Sequence, residues 1–566
     1  MISLKFYWHL LYLPSLLNFF PFAVVPVYPD LYEASIHELQ FGLEKEHFTS
    51  VDLVKAYLAR IEEVNLKGAT LRAVLEINPS AISDAAALDR ERRLKGSRGP
   101  LHGIPVLIKD SIAVEGLNNT AGSFALLGSI VNDSTVASKF REAGTVFLGK
   151  TNLDEFSHFK AEPLPLGWSA IGGQSTNPYY PRGNPAGSSS GSAIATAIGL
   201  TAFTLGGETD SSIVYPAAWN NDVGIKPTVG LVSRKGVVPI SPNLDSIGPI
   251  TRSVTDAAIV LNVIAGTDPL DSYTLSQPSR LPDYTQALKK NGLHGKRVGV
   301  PRNAFLNERF VYIDDAVRDA FEDALDIIQA LGATLVDPAD LPSAEDIYNT
   351  TNEEFMAEVD FKIAINEYLA ELKDIPTGVR RLTDIIAFNN ANPEKELFPP
   401  YNDQSRLTSA ESRNGKDEVY WAAVANNHDL GRTRGIDAVL KEYSLDALVL
   451  PTLGFSSTPA AIAGYPIVTV PLGFYPDNVT IKSVGPDTFY PAPGLPFGLS
   501  FFGTAYSEFQ LIGMAYGFEQ ATHVRMMRMA YEAAIPKTQL KDIVSFHRRF
   551  QYMLKELINS FKRLSV

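Results

Sequence analysis

Between Asn184 and Thr228 the chain reads NPAGSSSGSAIATAIGLTAFTLGGETDSSIVYPAAWNNDVGIKPT, and no other stretch limits its fold as much. Three adjacent serines, Ser188, Ser189 and Ser190, stand between Gly187 and Gly191. A small, apolar, uncharged run from Ser192 to Phe203 follows, then a second pair, Ser211 and Ser212, in a turn rich in Gly, Thr and Asp. The run reads as a buried helix that holds the first serine loop rigidly at its N-terminus. Two hydroxyl clusters joined by a buried linker suit a binding loop, and they equally suit a serine hydrolase.

The rest of the chain supplies an α/β frame for this stretch. Thr49 to Asn65 is expected as a helix with Thr49 and Asp52 as a capping box, its face formed by Val54, Tyr57, Leu58 and Ile61. Leu71 to Ile77 and Ile104 to Ile108 read as strands, and the second ends at Lys109-Asp110. Helices over Ala81 to Leu94 and over Thr135 to Ala143, capped by Ser134, alternate with them, and the strand Thr145 to Leu148 follows. Such alternation defines a layered α/β domain. Beyond Gly266 come short strands at Arg297 to Val300 and Thr334 to Val336, around an amphipathic helix from Asp314 to Leu331. Residues 340–435 are polar, acidic and strand-poor, an elaboration expected to cover one side. Ala447 to Leu450 and Ile467 to Leu472 return as strands, so residues 30–265 and 440–525 are expected to form one sheet-centred unit.

Composition narrows the chemistry. With 566 residues the chain exceeds one small core. Its net charge of −13, with no dense basic patch ahead of the C-terminal tail, disfavours nucleic acid as a partner. Without cysteine there are no disulfides, thiolate nucleophiles or thiolate metal sites. The nine histidines are scattered, with no HExxH, so nothing points to a metal enzyme, and no cofactor is expected.

The termini differ from the body. Residues 6–28 carry no formal charge and follow Lys5, as a secretory signal peptide over about residues 1–27 would. A membrane anchor fits by length, but Pro14, Pro21 and Pro26 oppose a continuous helix. A hydrophobic arm packed on the domain is the plainer alternative. A secreted or secretory-pathway location is the expectation, with the cytoplasm left open. The domain is placed at 28–530, and residues 531–566 read as a basic amphipathic tail, either a solvated helix or one that meets a membrane surface or a partner. Membrane contact is expected only through these two ends. The oligomeric state is open, a homodimer included.

Gly187-Ser-Ser-Ser-Gly191 matches GxSxG with Ser189 at its centre, the pattern of a nucleophile elbow. That elbow needs a strand leading into it. The lead-in Asn177 to Ala186 contains three prolines and cannot be a buried central strand, so the elbow is discounted. Ser211-Ser212 has the better context, because Phe203 to Leu205 leads in and Gly206-Gly207 allows a sharp turn. Backbone N–H groups in such a turn can converge on an oxyanion. A serine also needs a base. No His/Asp partner is evident, and lysine is the alternative once burial lowers its pKa from about 10.4. Lys109, at the end of the apolar run Ile104 to Ile108, is placed where a lysine is carried into a dry interior.

Taken together, these residues resemble the amidase signature family. Gly99-Pro-Leu-His-Gly-Ile-Pro-Val-Leu-Ile-Lys109-Asp110 is similar to its lysine motif, with Thr120-Ala-Gly-Ser123 after it and Leu148-Gly-Lys-Thr-Asn-Leu-Asp-Glu-Phe156 next. Pro185-Ala-Gly-Ser188-Ser189 resembles its first serine motif. Glu208-Thr-Asp-Ser-Ser212-Ile, Pro216-Ala and Gly224-Ile-Lys-Pro-Thr228 resemble its nucleophile block. Asp245 to Arg252, Leu448 to Thr452 and Pro496 to Gly503 also fit, so the resemblance covers about residues 35–525, nearest to fungal members. It implies an α/β/α layered domain with a large mixed central sheet covered by helices on both faces. It also implies a Ser-Ser-Lys triad: Ser212 as nucleophile, Ser188 as bridging serine on a cis peptide bond, and Lys109 as neutral base. Ser188 and Ser212 stand 24 residues apart, as in the family. By resemblance the substrate is a small-molecule amide, bound along Ser188, Thr209, Asp210, Ser211 and Ser212.

Three departures stand out. Asp210 and Ser211 occupy positions where the family usually has two glycines, and Ser190 replaces another. If the backbone at Ser211 needs φ > 0, serine there costs on the order of 1 kcal/mol. Val214 stands where many members carry Arg. The leading expectation is a hydrolase of carboxamides. The alternatives are a weak or inactive homologue that acts by binding, the glutaminase-type component of a transamidation complex, and an esterase variant of the same acyl-enzyme chemistry.

Overall fold

The computed structural model describes residues 27–544. The apolar runs form a single mixed sheet of eleven strands. They are β1 (Val74–Ile77), β2 (Pro105–Lys109), β3 (Val146–Thr151), β4 (Phe203–Glu208), β5 (Val223–Lys226), β6 (Ser246–Thr251), β7 (Arg297–Gly299), β8 (Thr334–Val336), β9 (Ala447–Pro451), β10 (Ile467–Phe474) and β11 (Pro496–Phe502). Across the sheet they run β1-β3-β2-β4-β6-β5-β10-β11-β9-β7-β8. β3, β2 and β4 are parallel, with Ile108 beside Lys150 and Leu205. From β4 through β9 the neighbours are antiparallel, and β9, β7 and β8 are parallel again.

β2, β3 and β5 are buried at every residue, and in β2, parallel to both neighbours, this is why Ile104 to Ile108 reads as a continuous apolar run and not as an alternation. Helices cover both faces. In β9, Ala447 and Val449 join the core that also holds Ile328 and Leu511, whereas Leu448 and Leu450 join the opposite one with Val214 and Ile462. Local signals hold where a side chain can satisfy a helix end. Thr49 and Asp52 form the reciprocal capping box, and the Asp314 side chain accepts from Ala316 N.

The sheet extends further than the expected unit. β7 and β8 lie within residues 266–440, yet β7 pairs with β9 through Ala447 beside Val298 and so continues the same sheet to its edge. The helix Asp315–Ala330 supplies the crossover between these two parallel strands. Residues 340–435, read as strand-poor, are helices joined by loops and build a smaller core. Phe361, Ile365, Leu382 and Leu407 pack there against Ala121, Leu126, Phe156 and Phe159 from loops on the sheet side. Packing continues through the start of the C-terminal segment, where Ala534 and Leu540 are fully buried and Gln539 Oε1 accepts from Leu31 N. The apolar leader at residues 1–26 and most of the basic tail, residues 545–566, lie outside the described residues. Among those described, no helix is long and apolar enough to cross a membrane.

Candidate active site

β2 and β4 run parallel and end at the same edge, and the site lies where they end. Lys109 is the last residue of β2 and fully buried. Its Nζ donates to Ser188 Oγ at 2.6 Å and to the Gly207 carbonyl at 2.9 Å. Burial pushes the amine down to about 7, against the pull of Asp154, Glu208 and Asp245. Such a lysine can take a proton from a hydroxyl near neutral pH.

The triple serine opens the helix Ser190–Ala197, every residue of which is buried. No strand leads into it, as the three prolines required; Asn177 to Ala186 forms only turns and isolated bridges. The Gly187–Ser188 peptide bond is cis. The helix lies so near β3 that a Cβ on Gly191 would stand 2.4 Å from the Ala73 carbonyl and 2.6 Å from Asn152 N. Ser189 Oγ donates to the Gly207 carbonyl at 3.1 Å and accepts from Gly207 N at 3.2 Å, so it ties the helix to β4. The Ser190 hydroxyl is buried without a partner among the described residues.

The second serine turn lies alongside, because Ser189 N donates to the Ser212 carbonyl at 3.2 Å. Ser212 is 8% exposed, and its hydroxyl makes one long contact, to the Asp210 carbonyl at 3.5 Å. Lys109 and Ser188 are thus joined by a hydrogen bond, while Ser212 is beside them without one to Ser188 Oγ. Ser211 has φ 62 and its hydroxyl donates to the Asp210 carbonyl at 2.7 Å. Thr209 Oγ1 donates to Asp245 Oδ1 at 2.7 Å. Asp210 accepts from Ser457 at 2.5 Å and Thr458 at 2.7 Å, fastening the turn to the start of the helix Thr458–Ala463. Both carboxylates brace the turn. The N–H groups of Asp210, Ser211 and Ser212 donate to no acceptor among the described residues.

Glu208 completes the turn from within. Its Oε2 accepts from Ile213 N at 2.6 Å and Val214 N at 2.9 Å, which fixes the start of the helix Val214–Trp219 two residues past Ser212. Burial raises its carboxyl to about 7, against the attraction of Lys226 and these two N–H groups. Val214 is buried in an apolar cluster with Leu450 and Ile462, so its side chain adds no charge here.

No local pattern in the sequence gives a task to the segment that braces Ser188 from behind. Asp154 is fully buried, and its N–H donates to the Ser188 carbonyl at 3.1 Å. Phe156, Ser157 and His158 then run at φ 50, 53 and 74. Each such residue costs roughly 1 kcal/mol, so the surroundings must hold this turn. The available signal was Asp154, His158 and Glu162 at successive spacings of four, which is also the spacing of a helix face.

Among the described residues, no cluster of three or more metal-ligating side chains occurs. The sequence profile described as Amidase matches residues 52–457. The native peptide amidase of Stenotrophomonas maltophilia superposes with a TM-score of 0.79 at 41% identity, covering 88% of this chain and 98% of that one. A protein of Arthroderma benhamiae whose name includes the word amidase is 40% identical over 542 residues, 91% of this chain and 90% of its own. A glutamyl-tRNA(Gln) amidotransferase component from Geobacter metallireducens is more distant, at 32% over 505 residues, 87% of this chain and 98% of its own. Family match and fold are those of a hydrolase acting on carbon–nitrogen bonds. The chain belongs to the amidase family.

Proposed function

We propose that this protein hydrolyses carboxamides through an acyl-enzyme on Ser212, with Ser188 and Lys109 as its proton relay. The observation that carries the reading is the 2.6 Å contact between the buried Lys109 amine and Ser188 Oγ. A neutral Lys109 accepts the Ser188 proton as Ser188 takes that of Ser212, and Ser212 Oγ attacks the amide carbonyl. The loosely held Ser212 hydroxyl is free to turn toward Ser188. The unengaged N–H groups of Asp210, Ser211 and Ser212 are suited to the developing oxyanion. The proton returns along the relay to the leaving amine or ammonia, and water then cleaves the acyl-enzyme.

Similarity to a solved peptide amidase makes peptide carboxamides the first substrate class to try, with aryl and fatty amides beside them. A fluorophosphonate probe tests the nucleophile. Labelling is expected in the wild type and in Ser189→Ala and should vanish in Ser212→Ala; a wild type that takes no label at Ser212 would refute the reading. The same proposal takes residues 1–27 as a secretory leader, which N-terminal sequencing of protein from the culture medium tests.

A further inference from the structure

The relay leaves one charged side chain behind the serine loop without a task. His158 Nδ1 meets Asp154 Oδ2 at 3.1 Å, and Nε2 meets Glu162 Oε2 at 3.2 Å. With a carboxylate on each ring nitrogen, both nitrogens donate and the ring is an imidazolium. Burial opposes that charge, but the hydrogen bonds to Asp154 and Glu162 lift the ring to about 9. Other charges face it from the elements packed around. Arg406, from the helix Ser405–Ser412, pairs with Glu162 at 3.0 Å and donates to the His158 carbonyl at 3.3 Å. Lys160, on the same segment, is occupied by Glu155 and by Glu396 of the helix Pro393–Glu396.

Asp154 links this histidine to the site. Its Oδ1 accepts from Gly167 N at 2.5 Å. Its Oδ2 fills the space beside Gly187, where a Cβ would stand 2.0 Å away. The carboxylate is therefore wedged behind the Gly187–Ser188 bond, and it heads the charges that draw Lys109 toward the ammonium form. The left-handed turn Phe156–His158 is what folds His158 back onto it.

Resting on the relay reading, we propose that His158 is a positioning residue. Its imidazolium holds the Asp154 carboxylate against the Ser188 loop and offsets that carboxylate's pull on Lys109. The base is then free to be neutral although a buried anion stands behind its partner serine. Without the imidazolium, Asp154 acts on Lys109 unopposed, and Lys109 keeps its proton to higher pH.

The test is the pH dependence of kcat/KM for a peptide carboxamide, with the full chain and its His158→Gln variant. The acidic limb of the variant should move up by about one pH unit, the order expected for one unbalanced charge at an effective dielectric near 20, with rate recovered above the new limb. His158→Lys, which restores a cation, should return the limb toward the wild-type position. A folded His158→Gln with the wild-type limb overturns the proposal. A second measurement needs no variant: ring carbon and nitrogen shifts of the nine histidines in the wild type. One ring should remain an imidazolium at pH 8, and titration of all nine below pH 7.5 overturns the proposal. If Lys109→Ala retains turnover, the relay itself is wrong. If that variant is dead while His158→Gln keeps its profile, only the role of His158 falls.

Discussion

Lys109 Nζ lies 2.6 Å from Ser188 Oγ, with both side chains fully buried. Without bulk solvent, the protonation state of the amine decides whether Ser188 can pass on a proton. With Lys109 at about 7, kcat/KM should rise through pH 7 and level off above it. Lys109→Ala should lose both turnover and fluorophosphonate labelling of Ser212, and Ser188→Ala should lower kcat by about 10²- to 10⁴-fold. Near-normal turnover by Lys109→Ala at neutral pH would rule the relay out.

The same amine makes stability depend on pH. Its folded-state value of about 7 lies below the unfolded value, so between about pH 7 and pH 10.5 the unfolded chain binds more protons. Stability from this group therefore rises with pH across that window. Below it, both states carry the proton and the folded state bears the full burial cost, on the order of a few kcal/mol. Lys109→Met removes that dependence. Relative to wild type, its melting temperature should be more favourable at pH 6 than at pH 10; a difference independent of pH would contradict a depressed Lys109.

Ser211 occupies the left-handed region at φ 62, immediately before Ser212, the proposed nucleophile. Ser211→Gly removes the Cβ clash and also the bond to the Asp210 carbonyl, a local contact that does not anchor the turn elsewhere. The expected gain is up to about 1 kcal/mol in unfolding free energy, less the added entropy of glycine in the unfolded chain. Denaturant midpoints measure it, and a clear loss of stability would show that the serine hydroxyl outweighs the strain.

What the sequence disclosed follows from how local each signal is. Lys109 at the end of an apolar run, and two serine clusters flanking a strand, are short-range patterns, and their motifs marked Lys109, Ser188 and Ser212. Thr49 with Asp52 is equally local. The role of Asp154 was not legible, because it depends on a left-handed turn that the spacing of Asp154, His158 and Glu162 does not distinguish from a helix. It also depends on Arg406, 248 residues from His158. β7 and β8 were visible as strands, but their place at the sheet edge required pairing with β9, more than a hundred residues on. Asp210 is expected to bind substrate only by family resemblance, and its bonds to Ser457 and Thr458 come from a segment that no local pattern connects to it.

The helical region over residues 340–435 is held to the site by a charge that water does not reach. Lys160 Nζ is fully buried between Glu155 at 2.8 Å and Glu396 at 3.1 Å, and it also donates to the Glu396 carbonyl at 2.6 Å. Glu396 Oε1 in turn accepts from Ser123 Oγ at 2.9 Å and Phe124 N at 2.7 Å, joining the helix Pro393–Glu396 to the loop after β2. Burial, with Glu396 nearby, already pushes Glu155 well above the usual carboxylate range. Lys160→Met leaves two buried carboxyls facing each other without a cation, and should destabilise by about 3–5 kcal/mol. Adding Glu396→Gln to that variant should recover part of the loss, because one of the unpaired charges goes with it. Since these contacts join a separate small core to the sheet domain, the loss should be local. Faster hydrogen exchange in residues 393–412 is expected while β2 and β4 stay protected. Uniform loss of protection across the sheet would instead mean that the two cores unfold as one.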